Sequence, residues 1–268
     1  MTIDVTDQQS ELLISIEAPL AWVVINRPAS RNALNLAVWR GLAQQLPGLD
    51  THPEVRVVVL RGAGDEAFLA GADITEFPAA RGDAAMAAEY ERETHAALEA
   101  LAGTSKPVIA MINGLCFGGG CSVALACDLR FAADHARLAI PAARLGLAYP
   151  FAHGVQSLVD LVGPAHAADM LFSARALDAE EALRIGLVNR VVPRDTLEAV
   201  TRDYALRMAQ GAPLSLAAHK AAIRTARHAT SASTAQVEAR IARCFDSADY
   251  QEGVAAFLAK RPPRFTGR

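Results

Sequence analysis

The sequence predicts an α/β fold in which pairs of short strands alternate with helices and are followed by a region of helices alone. Two apolar runs rich in β-branched residues, 56–60 and 108–112, have the length and composition of buried strands. Helical patterns separate such runs, so that each helix covers a turn of strands. Beyond about Asp195 the strand patterns end, and long helices rich in Ala, Leu and Arg follow. We therefore predict a core over residues 1–195 and a helical region over residues 196–268.

The individual elements can be assigned in chain order from local patterns. Residues 12–17 and 21–26 are predicted to be paired strands, joined by a turn at Pro19. Asn35 is the expected cap of a helix that ends at Leu46, because large apolar side chains after it share one face. The remaining predictions are a mobile loop at 74–82, strands at 129–132, 136–140 and 187–192, and helices at 83–101, 196–210, 214–227, 234–245 and 250–258.

Composition and charge narrow the class of protein. The chain has 268 residues, of which 52% are apolar and 21% charged, so it is long enough to bury a sizeable core. Its formal net charge of −3 gives no indication of binding to nucleic acid or to a membrane surface. The polar, acidic start of the chain is unlike a signal peptide, and the four cysteines lack C-x-x-C spacing. We therefore expect a cytoplasmic protein with reduced thiols and no bound metal.

The most informative stretch is residues 106–130, which reads as strand, turn, glycine run and helix. Gly118, Gly119 and Gly120 leave the main chain bare just before a helical pattern, so another molecule can lie close against it. The N–H groups at the start of a helix have no partner within the helix, and they carry the positive end of its dipole. This pattern favours a site where backbone amides bind an anion or an oxyanion.

Three other interpretations of this stretch stay open from the residues alone. Residues 107–127 carry no charge and contain G-x-x-x-G, as transmembrane helices do, although each glycine weakens a helix by about 1 kcal/mol. Residues 120–124, GCSVA, are close to the G-x-S-x-G of serine hydrolases, with Ser122 as the nucleophile. Finally, the glycines have a purely structural role if they only let a strand and a helix pack closely.

A second stretch has the same character. Residues 67–74, AFLAGADI, follow the strand-like residues 56–61 and place small residues at a turn before a helix. Together, FLAGADITEF and INGLCFGGGCSVALACD resemble the two signature regions of the crotonase (enoyl-CoA hydratase/isomerase) superfamily. The resemblance covers essentially the whole chain and extends to segments at 24–28, 31–35, 182–192 and 257–261.

The resemblance implies a crotonase-like spiral of ββα units whose carboxyl-terminal helices serve oligomerisation, in a homotrimer or a dimer of trimers. It implies an acyl-CoA thioester as ligand, with coenzyme A entering as part of the substrate and no separate cofactor. It also implies that the amides of Ala72 and Gly119 stabilise the thioester oxygen as it becomes an enolate, a role worth roughly 3 kcal/mol per donor. The residues expected to border coenzyme A are Arg27, Ala29, Ala70, Asp73 and Ile74, together with Phe257 and Lys260, which would reach the nucleotide in the same or an adjacent subunit.

The chain departs from the family pattern at the positions that supply acid and base. Hydratases of the family carry one glutamate after the GGGC segment and a second after the proline of the following turn. This chain has Ser122 and Ala142 there. Water addition needs proton transfer, usually by carboxylates worth roughly 10²–10⁴-fold in rate, so neither standard hydration nor the family's isomerisation is expected. The aspartate nucleophile of the superfamily's dehalogenases would fall near Phe151, which excludes that chemistry as well.

Decarboxylation is the leading specific reaction, because it forms an enolate without a base. Residues 146–150 are similar to a segment of the family's decarboxylases, so Tyr149 would orient a carboxylate or donate a proton; alternatively, its hydroxyl bonds the backbone. Ser122 is a weaker catalytic candidate. His153 on the same turn is a further catalytic candidate, because a histidine side chain can titrate near neutral pH; alternatively, it is a surface or capping residue.

Other residues and other classes of protein stay open. The helix before the glycine run carries polar residues near the expected acyl pocket, and two of them share a face at i,i+4 spacing. These residues are Tyr90, Glu91, Glu93 and His95, with Glu91 and His95 on the shared face. A non-catalytic acyl-CoA-binding member of the family and a serine hydrolase are the alternatives to an enolate-forming enzyme.

Overall fold

Two β-sheets form the centre of the computed structural model of the chain, which describes residues 3–4, 10–80, 84–227, 236, 239–244 and 246–268. The strands are β1 Ile3–Asp4, β2 Leu12–Glu17, β3 Leu20–Ile25, β4 Val57–Gly62, β5 Ala67–Leu69, β6 Val108–Ile112, β7 Leu115–Phe117, β8 Leu129–Ala133, β9 Arg137–Ala139, β10 Leu177–Asp178 and β11 Arg190–Val192. The larger sheet has the order β1-β2-β3-β4-β6-β8-β11, and the smaller sheet has the order β10-β9-β7-β5.

Helices of very different length connect and cover these strands. The α-helices whose bounds lie within the described residues are α1 Leu36–Thr51, α2 Phe77–Ala80, α3 Ala84–Gly103, α4 Gly119–Ala126, α5 Ser157–Ser173, α6 Ala179–Arg184, α7 Leu197–Met208, α8 Pro213–Arg227 and α9 Ala248–Leu258. Short 3₁₀ turns cover Pro28–Ser30, Ile74–Glu76, Ala142–Leu145 and Arg194–Thr196, and Phe151–Gln156 is π-helical.

The chain alternates between the two sheets. β4, β6 and β8 lie side by side and parallel in the larger sheet. The strand that follows each of them, β5, β7 or β9, lies in the smaller sheet, again in parallel order. α3 and α4 return the chain from one pair of strands to the next. The predicted α/β spiral of ββα units is therefore confirmed.

The larger sheet is buried on both faces, which explains why its central strands are apolar without alternation. Side chains on one face, such as Val23 and Leu60, belong to the main core. Alternate residues point to the opposite face and pack under α7. This second cluster contains Leu20, Trp22, Val57, Val59, Ile109, Met111, Phe131, Ala133, Leu197 and Ala205.

Most of the elements predicted from local patterns are confirmed within a few residues, with two corrections. The predicted end of α1 at Leu46 is wrong, because the helix continues through Pro47 to Thr51. A proline in a helix removes a single N–H donor, and the buried Leu49 extends the apolar face beyond it. The predicted loop at 74–82 is wrong in its described part, because residues 74–80 form a 3₁₀ turn and α2. Residues 81–82 of that segment lie outside the described residues.

The local patterns do not predict α5 or α6. α5 is not predicted because its sequence is interrupted by Gly163, which has non-helical dihedral angles (φ 78°, ψ 164°), and by Pro164 after it. Such a glycine-proline pair is a breaker signal, yet the helix resumes on the other side of the kink. In the helix predicted at 234–245, residues 236 and 239–244 are described and are helical, and the others lie outside the described residues.

The predicted carboxyl-terminal helical region packs partly on the core. α7 covers one face of the larger sheet. In α8, Lys220 Nζ lies 2.8 Å from Asp128 Oδ2, which ties this helix to the start of β8. The division at residue 195 and the role of this region in oligomerisation stay predictions. Among the described helices none is long and apolar enough to cross a membrane, and residues 107–127 form two strands and a helix instead of one span.

Asn32 holds three main-chain segments together and is expected to be important for stability. Its buried amide donates to the carbonyls of Ala63 (2.9 Å) and Ala67 (2.8 Å) and accepts from the N–H of Arg27 (3.1 Å). It also has a left-handed backbone (φ 57°), which asparagine tolerates better than alanine. We expect Asn32→Ala to lower the free energy of unfolding by about 3 kcal/mol, measured by urea denaturation. A loss below about 1 kcal/mol would contradict this role.

Candidate functional site

Two turns from different parts of the chain meet at one edge of the smaller sheet. β5 and β7 are neighbouring parallel strands, so the turns that follow them leave the sheet at the same end. A Cβ built on Gly119 would lie 3.5 Å from the nitrogen of Ala72. One built on Gly71 would lie 3.8 Å from the nitrogen of Gly119. The amides of Ala72 and Gly119 therefore border the same small volume.

Both amides are available to a ligand. Leu34 pairs with the first turn, since its N–H donates to Gly71 O (2.7 Å) and its carbonyl accepts from the N–H of Asp73 (2.9 Å). Ala72 lies between these two bonds, so its N–H points away from Leu34. Gly119 is the first residue of α4, where an N–H has no acceptor within the helix. Within the described residues, neither amide donates a hydrogen bond to a protein acceptor.

Such an arrangement suits an oxygen that gains negative charge. Two preorganised donors and the positive end of a helix dipole face the same volume. The opposite end of α4 is closed by the buried Arg130, whose Nη1 donates to the carbonyls of Ala124 (3.1 Å) and Cys127 (2.8 Å). The positive guanidinium at the carboxyl-terminal end of α4 interacts favourably with the helix dipole, whose positive end faces the two amides.

Glycine is required at two positions of the second turn for different reasons. Gly118 has φ 49° and ψ −113°, a conformation that side chains rarely allow. A Cβ on Gly120 would lie 2.3 Å from the carbonyl oxygen of Leu69, so this residue lets α4 approach β5 closely. The glycine run thus serves strand–helix packing, and its role in a binding site stays a prediction with which this packing is compatible.

Tyr149 and Ser122, the two predicted side-chain candidates, lie together beside the second turn. Their oxygens are 2.7 Å apart, and Tyr149 Oη lies 3.0 Å from the carbonyl oxygen of Gly118. A phenol has one proton and a carbonyl only accepts, so Tyr149 donates to Gly118 and Ser122 donates to Tyr149. Burial raises the pKa of Tyr149 well above its ordinary value, which keeps this proton in place. The tyrosine hydroxyl therefore bonds the backbone, as one of the two sequence interpretations has it.

Neither position of the family's glutamates holds a titratable group. Ser122 lies in α4 with its hydroxyl on Tyr149, and in the described chain it has no histidine partner of the kind that serine hydrolases use. Ala142 begins the 3₁₀ turn after Pro141 and packs against the main core. A general acid or base at this site must come from another position.

His153, on the segment that follows Tyr149, lies beside a glutamate and a second histidine of α3. His153 Nε2 is 2.8 Å from Glu99 Oε1, and the His153 ring centroid is 5.0 Å from that of His95. Burial lowers the pKa of His153 below its ordinary value of 6.5, so the imidazole is mostly neutral at pH 7. Ligand atoms of these three residues lie within 4.8 Å of one another, the spacing of a possible divalent-metal site. The absence of a resident metal stays a prediction.

Glu99 is the residue of this group that sequence reasoning missed. The sequence pairs His95 with Glu91 across one helical turn, whereas in the structure His95 lies beside His153. Glu99 is also four residues from His95 on α3, so the i,i+4 rule applied in the other direction would have found it.

Five of the predicted coenzyme A residues lie near the first turn. Arg27 Nη2 is 2.9 Å from Asp73 Oδ2, and its guanidinium also contacts Glu11 (2.8 Å). Asp73 caps the turn that begins at Ile74, where a hydrogen bond from Thr75 lowers the pKa of its carboxyl group. Ala29 is exposed in the 3₁₀ turn next to Arg27, and Ala70 N–H donates to Arg31 O (3.1 Å).

Of the two predicted residues of the tail, Lys260 does not reach this group within the described chain. Lys260 is exposed after α9 with a left-handed backbone (φ 52°), and in the described residues it has no recorded contact with the first turn. The side chain of Phe257 lies outside the described residues.

Comparison with known proteins identifies the family. The sequence model described as enoyl-CoA hydratase/isomerase matches residues 15–268. The chain is 37% identical to the 2,3-dehydroadipyl-CoA hydratase of Escherichia coli, over 97% of this chain and 100% of that one. It is 34% identical to the crotonyl-CoA hydratase of Syntrophomonas wolfei, over 96% and 98%. A solved enoyl-CoA hydratase/carnithine racemase from Magnetospirillum magneticum has a TM-score of 0.91 at 38% identity, with 97% of each chain covered. On its fold and on these matches, the chain belongs to the enoyl-CoA hydratase/isomerase family.

Proposed function

We propose that this family member binds an acyl-CoA thioester and stabilises its enolate between the amides of Ala72 and Gly119, without the family's glutamate pair. The observation that carries the proposal is the pair of unengaged amides bordering one volume, beside Ser122 and Ala142 at the acid and base positions. Decarboxylation of a malonyl-type thioester is the leading reaction. Loss of CO₂ leaves its electron pair on the α-carbon and the thioester oxygen, so no base is needed.

We further propose that the active form is a trimer or a dimer of trimers. Large apolar side chains exposed on the single chain support it, because contact with another subunit would remove them from water. Among them are Phe151 (70% exposed), Phe172 (83%), Ile223 (67%) and Leu258 (75%). Sedimentation of the purified protein tests this assembly.

Incubation with a panel of acyl-CoA thioesters, followed by mass spectrometry, tests the reaction. Decarboxylation predicts that malonyl-CoA or methylmalonyl-CoA loses the mass of CO₂, while crotonyl-CoA is unchanged. Hydration predicts that crotonyl-CoA gains the mass of water. Binding of these thioesters without turnover would favour the non-catalytic alternative and contradict an enzymatic function.

Hydration is the second candidate function, and the contact between His153 and Glu99 favours it. The two relatives compared by sequence are named as hydratases, and a partly buried imidazole beside a carboxylate is a suitable general base. Glu99 and His95 on α3 and Arg224 on α8 are the charged or titratable groups that act on His153. Their opposing effects leave burial as the main influence on its pKa.

The pH profile of a hydration reaction tests whether His153 is its general base. If neutral His153 is the base, kcat/KM is constant around pH 7 and falls only below the lowered pKa, that is, below 6.5. His153→Gln is then expected to remove this acidic limb and lower kcat roughly 10²–10⁴-fold. His166→Gln, on an exposed position of α5, is the control and leaves the rate unchanged. A His153→Gln enzyme with the wild-type rate and profile would exclude His153 as the base.

A further inference from the structure

We propose that Tyr149 is a positioning residue that acts through the peptide group between Gly118 and Gly119. Its hydroxyl holds the carbonyl end of this group, and thereby aims and polarises the N–H at the other end. The inference rests on the proposed oxyanion role of Gly119, and it assigns Tyr149 a function other than contact with substrate.

The two ends of one peptide group cannot move separately. The carbonyl of Gly118 and the N–H of Gly119 belong to the same planar, trans unit and point in opposite directions. Glycine on both sides leaves the rotation of this unit almost unrestricted by side chains. Any group that fixes the carbonyl oxygen therefore fixes the direction of the N–H that faces Ala72.

The carbonyl of Gly118 is held by several donors at once. The amides of Cys121 (2.9 Å) and Ser122 (3.2 Å) bond it from the first turn of α4, and Tyr149 adds its hydroxyl at 3.0 Å. Each donor on a carbonyl makes the N–H of the same peptide a stronger donor, by roughly 10–30% per bond. Tyr149 is the donor of this set that comes from outside α4, so it ties the peptide to a different part of the chain.

The hydroxyl of Tyr149 is itself oriented from behind. Ser122 donates to it at 2.7 Å, so its own proton is left for Gly118. The hydrogen bonds then run in one direction, from Ser122 through Tyr149 and the peptide to the volume between the two amides. Negative charge on an oxygen in that volume would be stabilised by the whole aligned chain. Ser122 stands where hydratases of the family carry a glutamate, so the same position supports an amide instead of supplying a base.

The ring of Tyr149 is fixed by its packing. A Cβ on Gly154 would lie 2.8 Å from the Cδ1 and Cε1 atoms of Tyr149, so the ring rests directly on the main chain there. The side chain is thus held at its ring by the contact with Gly154 and at its hydroxyl by Ser122 and Gly118.

A chromophoric ligand can measure this effect directly. A thioester with a conjugated acyl group absorbs at longer wavelength when donors polarise its carbonyl. At saturating protein, we expect a red shift on binding to wild type, a smaller shift with Tyr149→Phe and an intermediate shift with Ser122→Ala. In turnover, Tyr149→Phe is expected to lower kcat roughly tenfold with little change in KM, because the bond strengthens only as charge develops. Tyr204→Phe, on the opposite face of the larger sheet beside Phe131, is the control and matches wild type.

The possible outcomes separate this inference from the proposed function. A red shift that is equally large in wild type, Tyr149→Phe and Ser122→Ala, with equal kcat, would overturn the role of Tyr149 and leave the two amides standing. A ligand that binds wild type without any shift would overturn the proposed function and the inference with it. Ser122→Ala does not alter the packed ring, so it keeps the test decisive if Tyr149→Phe loses stability.

Discussion

Replacing Gly119 with proline is expected to lower kcat roughly 10²–10³-fold while the fold is retained. Proline has no N–H, so the substitution removes one of the two donors that face the proposed thioester oxygen. Gly119 is the first residue of α4, the helical position where proline is best tolerated. The preceding Gly118 has no Cβ to clash with the proline ring. Steady-state kinetics on the thioester identified by the panel, with circular dichroism of both proteins, measures the effect.

Gly119→Ala is the matched control for this prediction. It adds the same Cβ but keeps the N–H, and that Cβ would lie 3.5 Å from Ala72 N, Leu34 Cδ1 and Trp39 Cζ2, an ordinary contact distance at the border of the proposed site. The difference between the two variants therefore isolates the donor from the added carbon. If Gly119→Pro and Gly119→Ala both fold and both keep the wild-type rate, an oxyanion role for this amide is contradicted.

Replacing Gly120 with alanine is expected to have the largest effect on stability, a loss of roughly 3 kcal/mol or more. The added Cβ would lie 2.3 Å from the carbonyl oxygen and 2.8 Å from the Cβ of Leu69. Because the nearest atom belongs to the main chain, no rotamer change can relieve the overlap, and α4 must move away from β5. Urea denaturation measures the loss, and thioester binding should weaken with it because α4 carries one of the donors.

Gly48→Ala tests whether the position or the residue type is responsible. Gly48 lies on an exposed face of α1, and a Cβ there would meet no atom within 4 Å. Alanine is the better helix former, so this variant is expected to gain about 0.5–1 kcal/mol. Equal stabilities for Gly48→Ala and Gly120→Ala would show that the close approach of α4 to β5 is not rigid.

Local signals in the sequence were sufficient for β6, for the glycine run and for the helix that follows it, but not for the short strands that precede the two turns. The apolar run of β6, the Asn-Gly turn and the glycines before α4 are adjacent in the chain, so their pattern predicts strand, turn and helix directly. The cap at Asn35 is equally local, since its side chain accepts from the N–H of Val38 three residues on. Three-residue strands such as β7 are too short for a period-2 pattern to develop, which is why they could not be assigned.

The contacts that the side chains of the candidate site make could be predicted from the sequence only in part. That Tyr149 lies near the proposed site followed from the family resemblance, but its bond to the carbonyl of Gly118 depends on how the segment after β9 folds back over α4. The same holds for Glu99, which meets His153 only after α3 and the π-helical segment have packed. Pattern reasoning reports which residues share a face, whereas the element opposite that face is set by the tertiary fold.

The turn that presents Ala72 also depends on Leu34, a residue that belongs to neither of the two signature motifs. It lies before both of them in the chain, and its two hydrogen bonds hold the turn that presents Ala72. A shortened gene product that starts after residue 35 would keep FLAGADITEF and INGLCFGGGCSVALACD intact and lose the partner that aims one donor. In a newly synthesised chain, these two hydrogen bonds can likewise form only after residues 71 and 73 have left the ribosome, because Leu34 precedes both of them.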